Sequence, residues 1–160
     1  MRTARILSAT AALVVSAATP AAADATAFLG VNTTPANHAV KGIAVGVGLL
    51  IVAFEFEYAS ASEDLASLVP GVKTGSGNVL LQTPFDIAGF QPYFTTGAGL
   101  YHETLGTLAH TGFAPNVGGG FKMSLAGPLR LRFDYRVFKL KDGAPYSPAH
   151  RIYAGLNLRF

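Results

Sequence analysis

The stretch HRIYAGLNLRF, residues 150–160, decides the fold. Ile152, Ala154, Leu156, Leu158 and Phe160 are apolar, and Arg151, Tyr153, Gly155, Asn157 and Arg159 fall between them. Successive side chains of a strand point to opposite faces. The segment therefore carries one apolar face and one face of charge, amide and glycine. A soluble domain usually ends on loose, polar residues, but this stretch ends on an aromatic. It fits the closing strand of a barrel, with its last aromatic at a membrane interface.

The other end of the 160-residue chain predicts export. Arg2 and Arg5 form a positive n-region, residues 6–18 are mostly apolar, and Ala21, Ala22 and Ala23 supply small residues for cleavage before Asp24. This is the pattern of a Sec-type signal peptide over residues 1–23, which leaves one domain over residues 24–160. Loss of Arg2 and Arg5 takes the net charge from +3 to +1, too little for the basic field of a nucleic-acid binder. There is no cysteine, hence no disulfide and no thiol chemistry.

Half of the residues are hydrophobic, yet beyond the leader no apolar run reaches the ~18 residues of a membrane helix. The longest candidate, residues 42–54, is interrupted by Gly42, Gly46 and Gly48 and runs into Glu55. That leaves a large soluble core or a membrane barrel. The alternation predicts eight strands, at residues 25–32, 42–48, 51–59, 78–83, 91–103, 113–124, 129–140 and 150–160. Strand seven, LRLRFDYRVFKL, is the clearest: Leu129, Leu131, Phe133, Tyr135 and Val137 alternate with Arg130, Arg132, Asp134 and Arg136. Parity allows the turn between strands two and three at Leu49-Leu50 or at Val47-Gly48. Residues 60–77 are the longest expected loop, and residues 104–111 another. Connections after strands two, four and six are short or compact, and the others are longer and more polar, as in outer-membrane barrels.

The bulky apolar residues share one face and the glycines and ions the other. In a narrow barrel this puts Glu55, Glu57, Gln82, Lys122, Arg130, Arg132, Asp134, Arg136, Asn157 and Arg159 in the lumen. Both signs are present, so an internal ion-pair network is expected, because unpaired charges there would be costly. The chief expectation for these residues is lumen filling rather than an ion path. Tyr58, Phe94, Phe133, Tyr135 and Phe160 face outward, some of them as interface girdles.

The leader, the alternation and Phe160 together make the chain resemble the small OmpA/OmpX-type outer-membrane barrels. The resemblance implies an all-β, eight-stranded antiparallel up-and-down transmembrane barrel in the bacterial outer membrane, with membrane lipid around it. It also implies that Ile152, Ala154, Leu156, Leu158 and Phe160 form the signal read by the outer-membrane assembly machinery. The expected role is structural or surface-interacting, with partners at the outer loops, chiefly residues 60–77.

Two other readings compete. A lipid-modifying outer-membrane enzyme would have to use His102 and Glu103 with Ser147 or Ser62, since no Gly-x-Ser-x-Gly elbow occurs. A soluble lipocalin-like periplasmic carrier would need apolar residues inside. His38, His102, His110 and His150 lie in or beside the outer loops but match no compact metal motif. Gly118-Gly119-Gly120 lacks the Lys-Ser/Thr of a phosphate-binding loop. No catalytic, cofactor or metal site is assigned.

Overall fold

A computed structural model describes residues 22–141, 144 and 146–160. The segment read as a signal peptide lies outside them, apart from Ala22 and Ala23. Eight strands follow in order: β1 (Ala22–Asn32), β2 (His38–Leu49), β3 (Val52–Ala61), β4 (Gly71–Gln82), β5 (Phe90–Leu105), β6 (Leu108–Ala126), β7 (Leu129–Phe138) and β8 (Ala149–Arg159). Each is antiparallel to its sequence neighbour, and β1 also pairs with β8, closing the barrel. Closure gives every strand two partners, the condition under which a sheet can stand in hydrocarbon. Phe160 lies just past β8, but its N–H donates to the Ala23 carbonyl and its own carbonyl accepts from Ala23 N, both at 2.9 Å.

The faces follow the alternation. Leu131, Phe133 and Tyr135 of β7 point out, while Arg130, Arg132, Asp134 and Arg136 are buried inside. The same division holds on β3, where Phe54, Phe56 and Tyr58 are exposed and Glu55 and Glu57 buried. Phe94 and Phe160 also face out. A polar interior inside an apolar wall is the reverse of a soluble carrier, and the lipocalin-like reading is thereby corrected.

Several boundaries differ from the sequence reading. β1 starts three residues earlier, at Ala22, because the ladder to Gly48 and Val47 of β2 continues through Ala22 and Ala23. The β2–β3 turn is at neither expected place. Leu49 pairs with Val52, so Leu50 and Ile51 form the turn and Ile51 is not in a strand. Leu50 has φ 52°, a left-handed conformation at a non-glycine residue. This register keeps Val47 opposite Phe54 and Val45 opposite Phe56, and that outward apolar pairing outweighs a glycine in the turn.

The loop expected over 60–77 shrinks to 62–70, because β4 begins at Gly71 and pairs with both β3 and β5. The loop expected over 104–111 is absent as a loop. Leu105 pairs with Leu108, leaving a two-residue turn at Gly106 and Thr107 on a long β5–β6 hairpin.

Candidate functional site

The candidate site is the lumen with its outer mouth. Inward residues of all eight strands meet there, because the even spacing along each strand aims them at the barrel axis. Two close approaches make room for long side chains. A Cβ on Gly118 would sit 2.9 Å from Cγ of Arg136, and one on Gly120 would sit 2.7 Å from the Tyr93 hydroxyl.

Arg132 and Arg136, both 0 % exposed, are the centre. Arg136 Nη2 donates to Glu55 Oε1 at 2.7 Å, its Nε to Asp134 Oδ1 at 3.0 Å, and its Nη1 lies 3.1 Å from Glu57 Oε2. Arg132 forks to Glu55 and, at 3.0 Å, to Asp134 Oδ2. Arg151 extends the chain toward the outer mouth, donating to Glu57 Oε1 and Thr74 Oγ1, each at 3.1 Å. At the opposite end Lys122 Nζ lies 2.5 Å from Asp24 Oδ2, and Arg130 Nη2 lies 3.4 Å from the same oxygen. Arg130 Nε donates to Asn157 Oδ1 at 2.9 Å, and Asn157 Nδ2 donates to Thr26 Oγ1 at 2.9 Å. Arg132 also donates to that hydroxyl, so the two ionic groups are joined.

Two tyrosines complete the filling. Tyr93 donates to Asp134 Oδ2 at 2.5 Å and accepts from Arg132 Nε at 2.8 Å. Tyr153 donates to Glu57 Oε2 at 3.0 Å. Buried charges are tolerable when each is paired, and in this network each of Asp24, Glu55, Glu57 and Asp134 faces at least one cation. It fills the barrel and leaves no wide channel.

Of the residues expected in the lumen, Glu55, Glu57, Lys122, Arg130, Arg132, Asp134, Arg136 and Asn157 are buried there, and Gln82 is half-buried. Arg159 is the exception. It shares the inward parity but is exposed at the rim, and the ion pairs among the described residues run without it. Asp24, Tyr93, Arg151 and Tyr153 also belong to this network, beyond the residues the sequence assigns to the lumen. Arg151 and Tyr153 carry the same parity as Asn157, a signal that could have found them.

At the other rim, Glu63 Oε2 accepts from Gly106 N at 3.1 Å, tying the 62–70 loop to the hairpin tip. Beside this tie lies a cleft of about 500 Å³, lined by Leu68, Glu103, Leu105, Leu108, His110 and Tyr146 among others.

Asp64 organises the loop. Its Oδ2 accepts from Ser67 Oγ at 2.9 Å, and its Oδ1 accepts from the Ala66 and Ser67 amides at 3.0 and 3.3 Å. The Ser67 hydroxyl, followed by that residue's amide, lowers the Asp64 carboxyl below its usual range. A depressed native pKa means that this ordering is complete above the ordinary carboxylate range and is lost as pH falls through the lowered value. At neutral pH, Asp64→Ala is expected to speed amide exchange at Ala66 and Ser67 and leave strand amides unchanged. Unchanged exchange at those two amides would remove the capping role.

The enzymatic arrangement does not assemble. His102 is exposed on the outer face with Nδ1 2.7 Å from Thr111 Oγ1, while Glu103, the next residue, faces in. His150 Nδ1 lies instead 2.7 Å from the Tyr135 hydroxyl. Among the described residues no group of three His, Cys, Asp or Glu side chains is placed to hold a metal ion.

No protein-family model matches the chain, and no curated protein matches it. Its fold does match solved structures. The N-terminal β-barrel domain of Pseudomonas aeruginosa OprF superposes with TM-score 0.66 at 16% identity, over 87% of this chain and 97% of that one. Neisserial surface protein A, NspA, gives TM-score 0.65 at 17% identity, over 88% and 96%. The outer membrane enzyme PagL gives 0.54 at 10% identity, over 84% and 98%. The fold is that of the small bacterial outer-membrane barrels, a group that includes an enzyme.

Proposed function

We propose that the protein resides in the bacterial outer membrane as a non-enzymatic barrel with a structural or surface-interaction role. The observation that carries this reading is the lumen filled by buried charges inside a wall of exposed Leu, Ile, Val and Phe. Such a wall is stable in lipid and a liability in water. Residues 1–23 act as the export signal, and residues 24–160 form the barrel domain, in which β1 keeps its ladder to β2 from Asp24 onward once Ala22 and Ala23 leave with the signal. The assembly machinery reads Ile152, Ala154, Leu156, Leu158 and Phe160, all outward-facing. The separation of His102 from Glu103 across the sheet supports a non-enzymatic role.

The outer mouth is the surface for a partner. Leu65, Leu68, Leu108 and Tyr146 are exposed there, on the 62–70 loop, the hairpin tip and the β7–β8 connection. Apolar side chains beyond the membrane wall point to contact with something other than lipid.

Cell fractionation followed by gel migration with and without boiling tests the reading. The expected result is outer-membrane recovery and a heat-dependent mobility shift. A soluble periplasmic protein with no shift would overturn it. Phe160→Ala is expected to lower the folded fraction in membranes while the purified, refolded variant still shifts on heating. Equal recovery in cells would remove the assembly role of that residue.

A further inference from the structure

The strand charges are sorted by face. Asp24, Glu55, Glu57, Glu103 and Asp134, the carboxylates on the described strands, all follow the inward parity. The outward ionic side chains on those strands are lysines, Lys41 of β2 and Lys73 of β4, both exposed. Neither takes part in the ion pairs among the described residues. They sit toward the outer-loop ends of their strands, and they share a row. Lys41 is register partner of Ser60, Ser60 of Lys73, and Lys73 of His102. With neighbouring strands ~4.8 Å apart, the two ammonium groups can close on one anion lying over the Ser60 hydroxyl.

Directly below this row the wall is indented. A groove of about 680 Å³, almost wholly apolar, runs over Ala27 and Ala154 between Ile43 and Tyr58 on one side and Leu131 and Leu156 on the other. Lys41 and Ser60 line the same groove. Cationic side chains at the end of an apolar groove complement an amphiphile with an anionic head, and outward carboxylates that would repel it are missing from the described strands.

We propose that Lys41, Ser60 and Lys73 bind the phosphate of a lipid in the outer leaflet, with one acyl chain of that lipid in the groove. This rests on the membrane reading above. Polybasic contacts of this kind contribute a few-fold in affinity for each lysine, so loss of both is expected to weaken binding about 30-fold.

The test is native mass spectrometry of the purified full barrel in detergent, offered diphosphorylated lipid A or phosphatidylcholine. Wild type is expected to retain lipid A in preference to phosphatidylcholine, and K41A/K73A to lose that preference. Ala154→Phe, which fills the groove, is expected to weaken lipid A retention with both lysines in place. Both variants are first required to show the heat-dependent mobility shift. Equal retention by wild type and K41A/K73A, or equal retention of the two lipids, overturns the site and leaves the membrane reading standing. Displacement of lipid A by millimolar inorganic phosphate would overturn the lipid as ligand in favour of a free anion. A wild-type barrel without the heat shift would overturn both readings.

Discussion

Arg136→Ala is expected to destabilise the barrel by about 3–5 kcal/mol, the range for breaking a buried ion pair from one side. Arg136 is the cation shared by Glu55, Glu57 and Asp134, so its removal leaves three buried carboxylates short of a partner. Arg132 still reaches Glu55 and Asp134, and Arg151 still reaches Glu57. The loss therefore appears as instability rather than as failure to fold. Arg136→Lys is expected to fall between, since an ammonium supplies the charge without the planar fork that serves three acceptors. Arg159→Ala, at the rim, is expected to change stability by no more than about 0.5 kcal/mol. Urea titration of the gel mobility shift reads all three. An Arg136→Ala barrel as stable as Arg159→Ala would mean that water, not Arg136, solvates those carboxylates.

The second large effect concerns the wall. Leu156 faces out on β8, with Ala27 of β1 and Leu131 of β7 as register partners. Leu156→Arg is expected to cost about 2–4 kcal/mol in lipid bilayers, the cost of a cation near the midplane of a barrel. Leu108, the most exposed large apolar side chain among the described residues at 73 %, sits at the hairpin tip beyond the wall. Leu108→Arg is expected to change stability by about 0.5 kcal/mol or less. The two substitutions are chemically identical, so the difference between them measures depth in the membrane. Equal costs in bilayers would remove the membrane band.

β7 was readable in the sequence because each of its outward residues meets lipid and each inward one meets charge. The alternation is sharpest where both solvents act on one strand. It fades where the outer solvent becomes water. Lys73 faces out on β4, and His102 and Thr111 face out on the β5–β6 hairpin, while Gly75 and Gly77, opposite Tyr58 and Phe56, add no side chain to the outer face. With polar or small groups on both faces, these segments are held by backbone pairing and by polar contacts such as Arg151 to Thr74 and His102 to Thr111, and neither leaves a hydrophobic period. Ile51 differs for the opposite reason, since an apolar residue in a turn at the membrane edge reads as strand.

Lumen membership was likewise visible as parity, but lumen partnership was not. Asp24 meets Lys122, and Arg132 meets Glu55, across the barrel interior. Those encounters depend on strand tilt and stagger, which no local pattern encodes. Arg159 shows the limit of parity, which gives a direction but not a depth.

The ion pairs of the lumen are unevenly divided along the chain. Among the described residues, β1 to β4 contribute Asp24, Glu55 and Glu57 to the interior and no cation, whereas β5 to β8 contribute Lys122, Arg130, Arg132, Arg136 and Arg151 with Glu103 and Asp134. The molecule is thus an acidic half-shell and a basic half-shell, each carrying charge that only the other can neutralise. Neither hairpin stacking nor lipid contact within one half relieves that imbalance. Ion pairs such as Lys122 with Asp24 and Arg132 with Glu55 therefore join the halves alongside the hydrogen bonds of the two seams, β4 with β5 and β8 with β1. Fragments cut in the β4–β5 turn should accordingly recognise each other when mixed, and two copies of the same fragment should not.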